Sequence, residues 1–231
     1  MQQIITQLNT FSIPIQNNLI EKLETFYLEL IATNQEYNLT AITEKQEVIV
    51  KHFLDSIMAA KVLHNVSSVI DIGAGAGFPS LPLALVLDKP HFTMVESIGK
   101  KVSFIQRMCN LLNLPHTTTL KIRAEDLPKE KKYDACVARG VAALNTLSEY
   151  SLPFIHSGGR LIAYKGSNYN EEIKQAKKAL EVLGGEVEQI IPYTLHLKEE
   201  ALQRNLIIIK KIKDTPPQYP RGGNKPRIKP I

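Results

Sequence analysis

The stretch Ser68-Val69-Ile70-Asp71-Ile72-Gly73-Ala74-Gly75-Ala76-Gly77-Phe78-Pro79 decides the fold. A short β-branched run stops in three glycines at alternate positions, and Pro79 and Pro82 then open an apolar segment. The run is apolar rather than alternating, which predicts a parallel strand covered on both faces. Pro79 suits the first turn of a helix, where a missing N–H costs nothing. Strand, glycine turn and helix make a ligand-binding geometry. The glycines admit a close-lying molecule, and the helix start presents free N–H groups to its polar end. A dinucleotide fingerprint needs a third glycine where Phe78 stands, and no phosphate-cradling lysine follows. S-adenosylmethionine (AdoMet), which has no phosphate, fits Gly73 and Gly75 better. A nucleotide-binding oxidoreductase and a tight turn with no ligand are the alternatives.

Beyond this stretch, strands and helices alternate. Strands are expected at Phe92 to Glu96, Thr118 to Arg123, Tyr133 to Ala138 and Arg160 to Lys165, the last entered by a turn at Gly158-Gly159. Helices are expected from Lys100 to Leu112, near Leu144 to Leu152, and through Ile173, Ala176, Leu180 and Leu183 to a stop at Gly184-Gly185. Two strands, Glu186 to Thr194 and Asn205 to Lys211, have no helix between them and should pair antiparallel. The expected fold is α/β: a Rossmann-like sheet of about seven strands, mostly parallel with a C-terminal antiparallel hairpin, the shape of a class I methyltransferase. Residues 1–64 read as a helical extension packed on the core of residues 65–213. Ile15, Leu19, Leu23, Phe26 and Leu30 recur at helical spacing, with Pro14 near the start. Thr43 to Gln46 makes a capping box before a helix carrying Val48, Phe53 and Ile57. His52 and Asp55 lie three apart on it, close enough to orient each other.

The length of 231 residues suits one domain with an extension. No run approaches the roughly 18 apolar residues of a membrane helix. Met1-Gln2-Gln3 begins no signal pattern, so a cytoplasmic location without membrane contact is expected. Cys109 and Cys136 are too few for a disulfide framework and too isolated for zinc, and no metal is expected. The net charge of +5 is uneven. Between Lys210 and Ile231, seven Lys or Arg stand against Asp214 alone, a net +6 that leaves −1 for the rest. Residues 214–231 thus read as a basic, proline-rich tail that cannot join a helix. Held extended, it can lay Arg221, Lys225, Arg227 and Lys229 along a phosphate backbone without touching the cofactor; a merely solvated tail is the alternative.

Ligands of open α/β sheets bind beyond the carboxyl ends of the strands. Glu96 ends the second strand and can accept from both ribose hydroxyls, or be a solvated acid. After the third strand, the Ala124 backbone and Glu125 can read an adenine edge; Glu125 can equally be a helix N-terminal acid. Arg139 and Lys165 close the fourth and fifth strands. Arg139 can hold the methionine carboxylate of AdoMet or a substrate phosphate, and a surface ion pair is the alternative for both cations. Replacing a partly exposed Arg139 is expected to cost activity far more than stability. The segment after the fourth strand has no Asn/Asp-Pro-Pro-aromatic box to grip an exocyclic amine and no cysteine for attack on a pyrimidine. Cys136, inside the strand, reads as an inert apolar residue. No catalytic acid or base is assigned.

Eight segments now stand in order: Tyr37-Asn38-Leu39-Thr40, His52-Phe53-Leu54-Asp55-Ser56, the glycine stretch from Asp71, Glu96-Ser97 with Lys100-Lys101, Arg123-Ala124-Glu125, Ala138-Arg139-Gly140-Val141-Ala142, Lys165-Gly166 and Tyr219-Pro220-Arg221. Together they resemble the RsmG (GidB) family of bacterial small-subunit ribosomal RNA methyltransferases over nearly the whole chain. Ser80 and Gly140 depart from its pattern, where glycine and alanine are usual. The resemblance implies AdoMet contacts at Gly73, Phe78, Ala124, Glu125 and Arg139. It also implies methyl transfer to N7 of a guanine in the 530-loop region of 16S ribosomal RNA, on the small ribosomal subunit or an assembly intermediate. A small-molecule methyltransferase and a non-enzymatic RNA-binding module are the other readings; the basic tail argues against the first.

Overall fold

Seven strands form one sheet: β1 (Ser68–Ile72), β2 (His91–Glu96), β3 (Thr117–Lys121), β4 (Tyr133–Arg139), β5 (Ile155–Lys165), β6 (Gly185–Leu197) and β7 (Glu200–Lys211). Their spatial order is β3-β2-β1-β4-β5-β7-β6. The first five are parallel, β7 lies antiparallel beside β5, and β6 pairs antiparallel with β7 at the edge. The computed structural model describes every residue except Phe11 and Pro14, so the expected place of Pro14 near a helix start lies outside the described residues.

The strands lack alternation because each side of the sheet is covered. In β1, Val69 enters one core and Ile70 and Ile72 the other; β5 divides in the same way, with Ile162 on one side and Leu161 and Ala163 on the opposite one. The first core is roofed by α1 (Gln2–Thr10), α2 (Leu19–Glu36) and a helical segment over residues 45–57, with α5 (Ala60–Leu63), α6 (Ser80–Val86) and α7 (Gly99–Leu111). Within 45–57, α3 (Lys45–Glu47) and α4 (Asp55–Ile57) flank a π-helix, Val48–Leu54. The second core lies under α8 (Leu144–Ser151) and α9 (Tyr169–Leu183). No helix among the described residues is long and apolar enough to cross a membrane.

Phe78 joins the glycine loop to the N-terminal layer. Its ring stacks on Phe26 of α2 at 5.1 Å, and Phe53 lies tilted against Phe26 at 5.2 Å. Chain order places β2 and β3 on one side of β1 and β4 on the other. The connections therefore diverge between β1 and β4, where an open sheet leaves a crevice.

Four expectations need correction. Helix α2 begins at Leu19, so Ile15 precedes it. The cap before α3 is Glu44, whose carboxylate accepts from the Glu47 N–H at 2.9 Å, while Gln46 turns to Gln3. The Gly158-Gly159 pair does not start a strand. It lies within β5, where Tyr133 pairs Ile155 and Ala135 already pairs Arg160, a bulge that Gly158 permits at φ +89°. The tail, finally, is not an extended arm. It runs back across α8 and ends in a helical turn, α10 (Lys225–Ile228), with Pro226 in its first turn, where proline is tolerated.

Candidate functional site

At the carboxyl end of β1, Gly73 adopts φ +73° and both Gly73 and Ala74 donate N–H bonds to the Val95 carbonyl, at 2.9 and 3.0 Å. That left-handed turn ties the loop to β2. One oxygen of Glu96 accepts from the Ser97 and Ile98 N–H groups at 2.7 and 2.9 Å, and the other accepts from Gly75 at 3.1 Å. The carboxylate is thus fixed by three backbone donors, and Oε2 keeps a lone pair for one further donor. Asp71 sits wholly buried under the loop, where burial pushes its carboxyl up to about 7; Oδ2 accepts from the Ser80 N–H at 3.3 Å. Cys136 is buried in β4, and burial pushes its thiol up to about 12, which suits an inert residue.

Two adjoining cavities open above these strand ends. The first, about 330 Å³, is lined by Val95, Glu96, Ile122, Ala124, Glu125 and Tyr150. The second, about 400 Å³, is lined by Gly75, Phe78, Thr40, His52, Arg139 and Lys101. Gly73, Glu96, Val141 and Arg227 border both. The cavities thus bring together Gly73, Gly75, Phe78, Glu96, Ala124, Glu125, Arg139 and Arg227. Lys165, Arg221 and Lys225 line neither.

Arg139 keeps only a small exposed fraction and is heavily partnered. Its side chain is 14% exposed, and its guanidinium pairs with Asp55 (8%) at 2.8 Å. It also donates to the Lys51 carbonyl at 2.9 Å and to His52 Nδ1 at 3.0 Å, and lies 5.2 Å over the Phe78 ring. The other oxygen of Asp55 accepts from the Tyr193 hydroxyl at 2.8 Å. His52 and Asp55 therefore do not pair with each other; both bind Arg139. Lys165 is an ion pair, with Glu172 at 2.6 Å, and its ammonium also reaches the Ala142 carbonyl at 2.8 Å. Glu172 accepts from the Leu144 N–H at 2.9 Å as well, so Lys165 braces the loop into α8. Arg221 grips Glu149 by two side-chain bonds of 2.8 and 2.6 Å, and its own N–H adds a third. Glu149 is 1% exposed. A buried acid of this kind demands a partner, and Arg221 is held to supply it rather than left free for a phosphate. Lys211 is likewise buried, donating to the Leu183 carbonyl and to Thr215. From Lys210 onward the exposed cations are Lys210, Lys213, Lys225, Arg227 and Lys229, the last three in the tail, and Arg227 donates to the Val141 carbonyl at 3.0 Å across the cavity rim.

His52 stacks on Phe78 with ring centroids 4.5 Å apart. Burial, and then the Arg139 charge, push it down to about 3, so it is neutral. An unfolded chain takes up a proton near 6.5 that the folded chain refuses until about 3, so this imidazole makes stability fall as pH drops through that window. Asp71 acts the other way. Its folded carboxyl keeps a proton up to about 7 against 3.8 unfolded, which favours folding on acidification. The difference between wild type and His52→Gln isolates the imidazole. Thermal melts from pH 7 to pH 4 are expected to show a smaller acid loss in the variant; equal losses would place the titration elsewhere.

The donor set fits AdoMet. Glu96 has one open acceptor site for a ribose hydroxyl, and Ala124 and Glu125 open a 3-10 turn whose first N–H groups have no partner within it. A Cβ built on Gly75 meets nothing nearer than 3.9 Å, so its glycine leaves space at the cavity rim. The sheet order with its reversed β7, the glycine loop and the acid closing β2 define a class I AdoMet-dependent methyltransferase fold. Solved structures agree on the fold: M. jannaschii TYW2 in complex with AdoMet (TM-score 0.53, 16% identity, 68% of this chain and 77% of that one) and an O-methyltransferase of Thermotoga maritima (TM-score 0.53, 17% identity, 81% and 72%). A family model described as rRNA small subunit methyltransferase G matches residues 19–211, and the chain belongs to that family, GidB. It is 39% identical to the ribosomal RNA small subunit methyltransferase G of Bacillus velezensis, over 100% of this chain and 98% of that one. To the protein of the same name from Bacillus pumilus it is 43% identical, over 94% and 92%.

Thr40, Asp55, Glu149, Tyr150 and Tyr193 were not singled out as site residues by sequence reasoning. A carboxylate among apolar helix positions, as at Glu149 between Leu147 and Tyr150, is the one signal that points to a buried partner.

Proposed function

We propose that this protein transfers the methyl group of AdoMet to N7 of a guanine in small-subunit ribosomal RNA. The observation that carries this reading is His52. A guanidinium has only donors, so His52 Nδ1 must accept from Arg139, and the remaining ring proton on Nε2 goes to Thr40 Oγ1 at 2.8 Å. Neither nitrogen is left to remove a proton. Guanine N7 carries a lone pair and no proton, so it suits a site whose imidazole is spent. AdoMet, when bound, supplies an electrophilic methyl on a cationic sulfur. The residues of this chain would fix the adenosine through Glu96, Ala124 and Glu125, and present the loop at Gly73 and Gly75 to the methionine end. The target nitrogen must then be held in line at about 3 Å.

The 530-loop region of 16S ribosomal RNA is the proposed target on the strength of the sequence resemblance, with the small subunit or an assembly intermediate as partner and the cytoplasm as setting. Mass mapping of methylated nucleotides tests this. A strain lacking the protein should lose one N7-methylguanosine from small-subunit RNA and regain it on complementation; an unchanged map sinks the proposal.

The remaining free tail charges carry a further expectation. Lys225→Gln with Lys229→Gln should flatten the slope of log RNA affinity against log salt by up to about 0.7 for each phosphate no longer neutralised, and leave AdoMet affinity unmoved. Arg227→Gln should weaken AdoMet as well, because Arg227 borders both cavities. An unchanged slope would move the RNA surface away from the tail.

A further inference from the structure

We propose that the Thr40 hydroxyl reads the O6 carbonyl of the target guanine as an obligate hydrogen-bond donor. The inference rests on the guanine reading above and names the residue that distinguishes guanine from adenine.

Thr40 lies on the wall of the second cavity, half-buried beside Phe78 and His52. Its backbone is fixed, because Asn34 Oδ1 accepts from the N–H groups of both Leu39 and Thr40, at 2.7 and 3.0 Å. The chain of donors runs one way. Arg139 donates to His52 Nδ1, which puts the imidazole proton on Nε2, and Nε2 donates to Thr40 Oγ1. The Ile42 N–H donates to the same oxygen at 3.0 Å. A hydroxyl has two acceptor sites and one proton. Both acceptor sites of Thr40 are taken, and its proton has no acceptor among the described residues. The ordinary hydroxyl adapts to donors and acceptors alike; this one can only donate.

A purine presenting N7 for methylation presents its 6-substituent next to it. Guanine offers a carbonyl oxygen there, which accepts from Thr40. Adenine offers an amine, whose hydrogens would face a hydroxyl with no lone pair left. A polar group left unpaired in this way is what lets a site reject an isosteric analogue. The burial of His52 keeps it neutral, and so keeps the direction of the chain constant over the physiological range.

A cycle across enzyme and substrate tests this. The wild type, Thr40→Val and Thr40→Ser are assayed on small-subunit RNA carrying guanine, or 2-aminopurine, at the methylated position. 2-Aminopurine keeps N7 and has hydrogen in place of O6. The wild type should lose roughly tenfold or more in kcat/KM on the analogue beyond its intrinsic reactivity, the size of one hydrogen bond in a desolvated site. Thr40→Val should lose about that factor on guanine and no further on 2-aminopurine, so the two losses do not multiply. Thr40→Ser should behave like wild type, and AdoMet affinity by calorimetry should be the same in all three. Losses that multiply, with methylation intact, would make Thr40 a support for His52 and overturn the inference. Absence of any guanine N7 methylation by the wild type would remove the reading beneath it.

Discussion

Arg139→Ala is expected to destabilise the fold by about 3–5 kcal/mol, the cost of removing one partner of a buried ion pair. Asp55 would be left 8% exposed with the Tyr193 hydroxyl alone, and the Lys51 carbonyl would lose the donor that now covers it. Surface pairs contribute at most about 1 kcal/mol, so the magnitude separates the two situations. Chemical denaturation reads it directly. Arg139→Met, which keeps the volume, should be similarly unstable, and adding Asp55→Asn should recover part of the loss because no charge is then left unpaired. A variant that melts like wild type while losing AdoMet would mean that the guanidinium is held for the ligand and contributes little to the fold.

Gly73→Val is expected to abolish AdoMet binding and to weaken the fold at the same time. At φ +73° a β-branched residue is strained by about 1–2 kcal/mol, and its Cβ would lie 2.9 Å from a Val141 methyl group. Gly75→Asn separates the two effects. Asparagine tolerates the φ of +60° at that position, and no atom lies nearer than 3.9 Å to its Cβ, yet its side chain would occupy the rim of the second cavity. Calorimetry should find AdoMet affinity reduced by two orders of magnitude or so in a variant that melts near the wild type, if about 2–3 kcal/mol of binding free energy is removed. Undiminished affinity in a folded Gly75→Asn would place the cofactor away from the loop.

The strands were legible because burial on both faces leaves a local mark, a run such as Val69 to Ile72 that neither alternates nor repeats every fourth residue. Strand ends are legible for the same reason, and Gly73, Glu96, Ala124 and Arg139 all reach the cavities from them. Partnerships across the fold leave no such mark. Arg139 meets Asp55 from 84 positions away, and Arg221 meets Glu149 from 72. The reading of Arg221 as a free cation failed there, and Lys165 took its ion-pair alternative, since charge on a sequence says nothing about who neutralises it. The tail misled by its prolines. Spacing predicts an extended arm, but the buried Glu149 and the Thr146 hydroxyl, which donates to the Pro226 carbonyl at 3.0 Å, fold it back over α8. Thr43 lost the cap to Glu44 because an adjacent carboxylate competes for the same open N–H groups.

The π-helical winding of Val48–Leu54 bears on how such a protein can be recombined with its relatives. The Asp55 N–H reaches back to the Val50 carbonyl as well as to that of His52, and the loosened turn lets the Lys51 and His52 carbonyls face Arg139. A chimera that takes its N-terminal layer from a parent with one residue fewer there would rotate the following side chains by about 100° around the helix axis. The guanidinium from the other parent would then meet neither His52 nor Asp55. A crossover between the N-terminal helical layer and the end of β4 would break the Arg139–Asp55 ion pair, which neither half can rebuild alone.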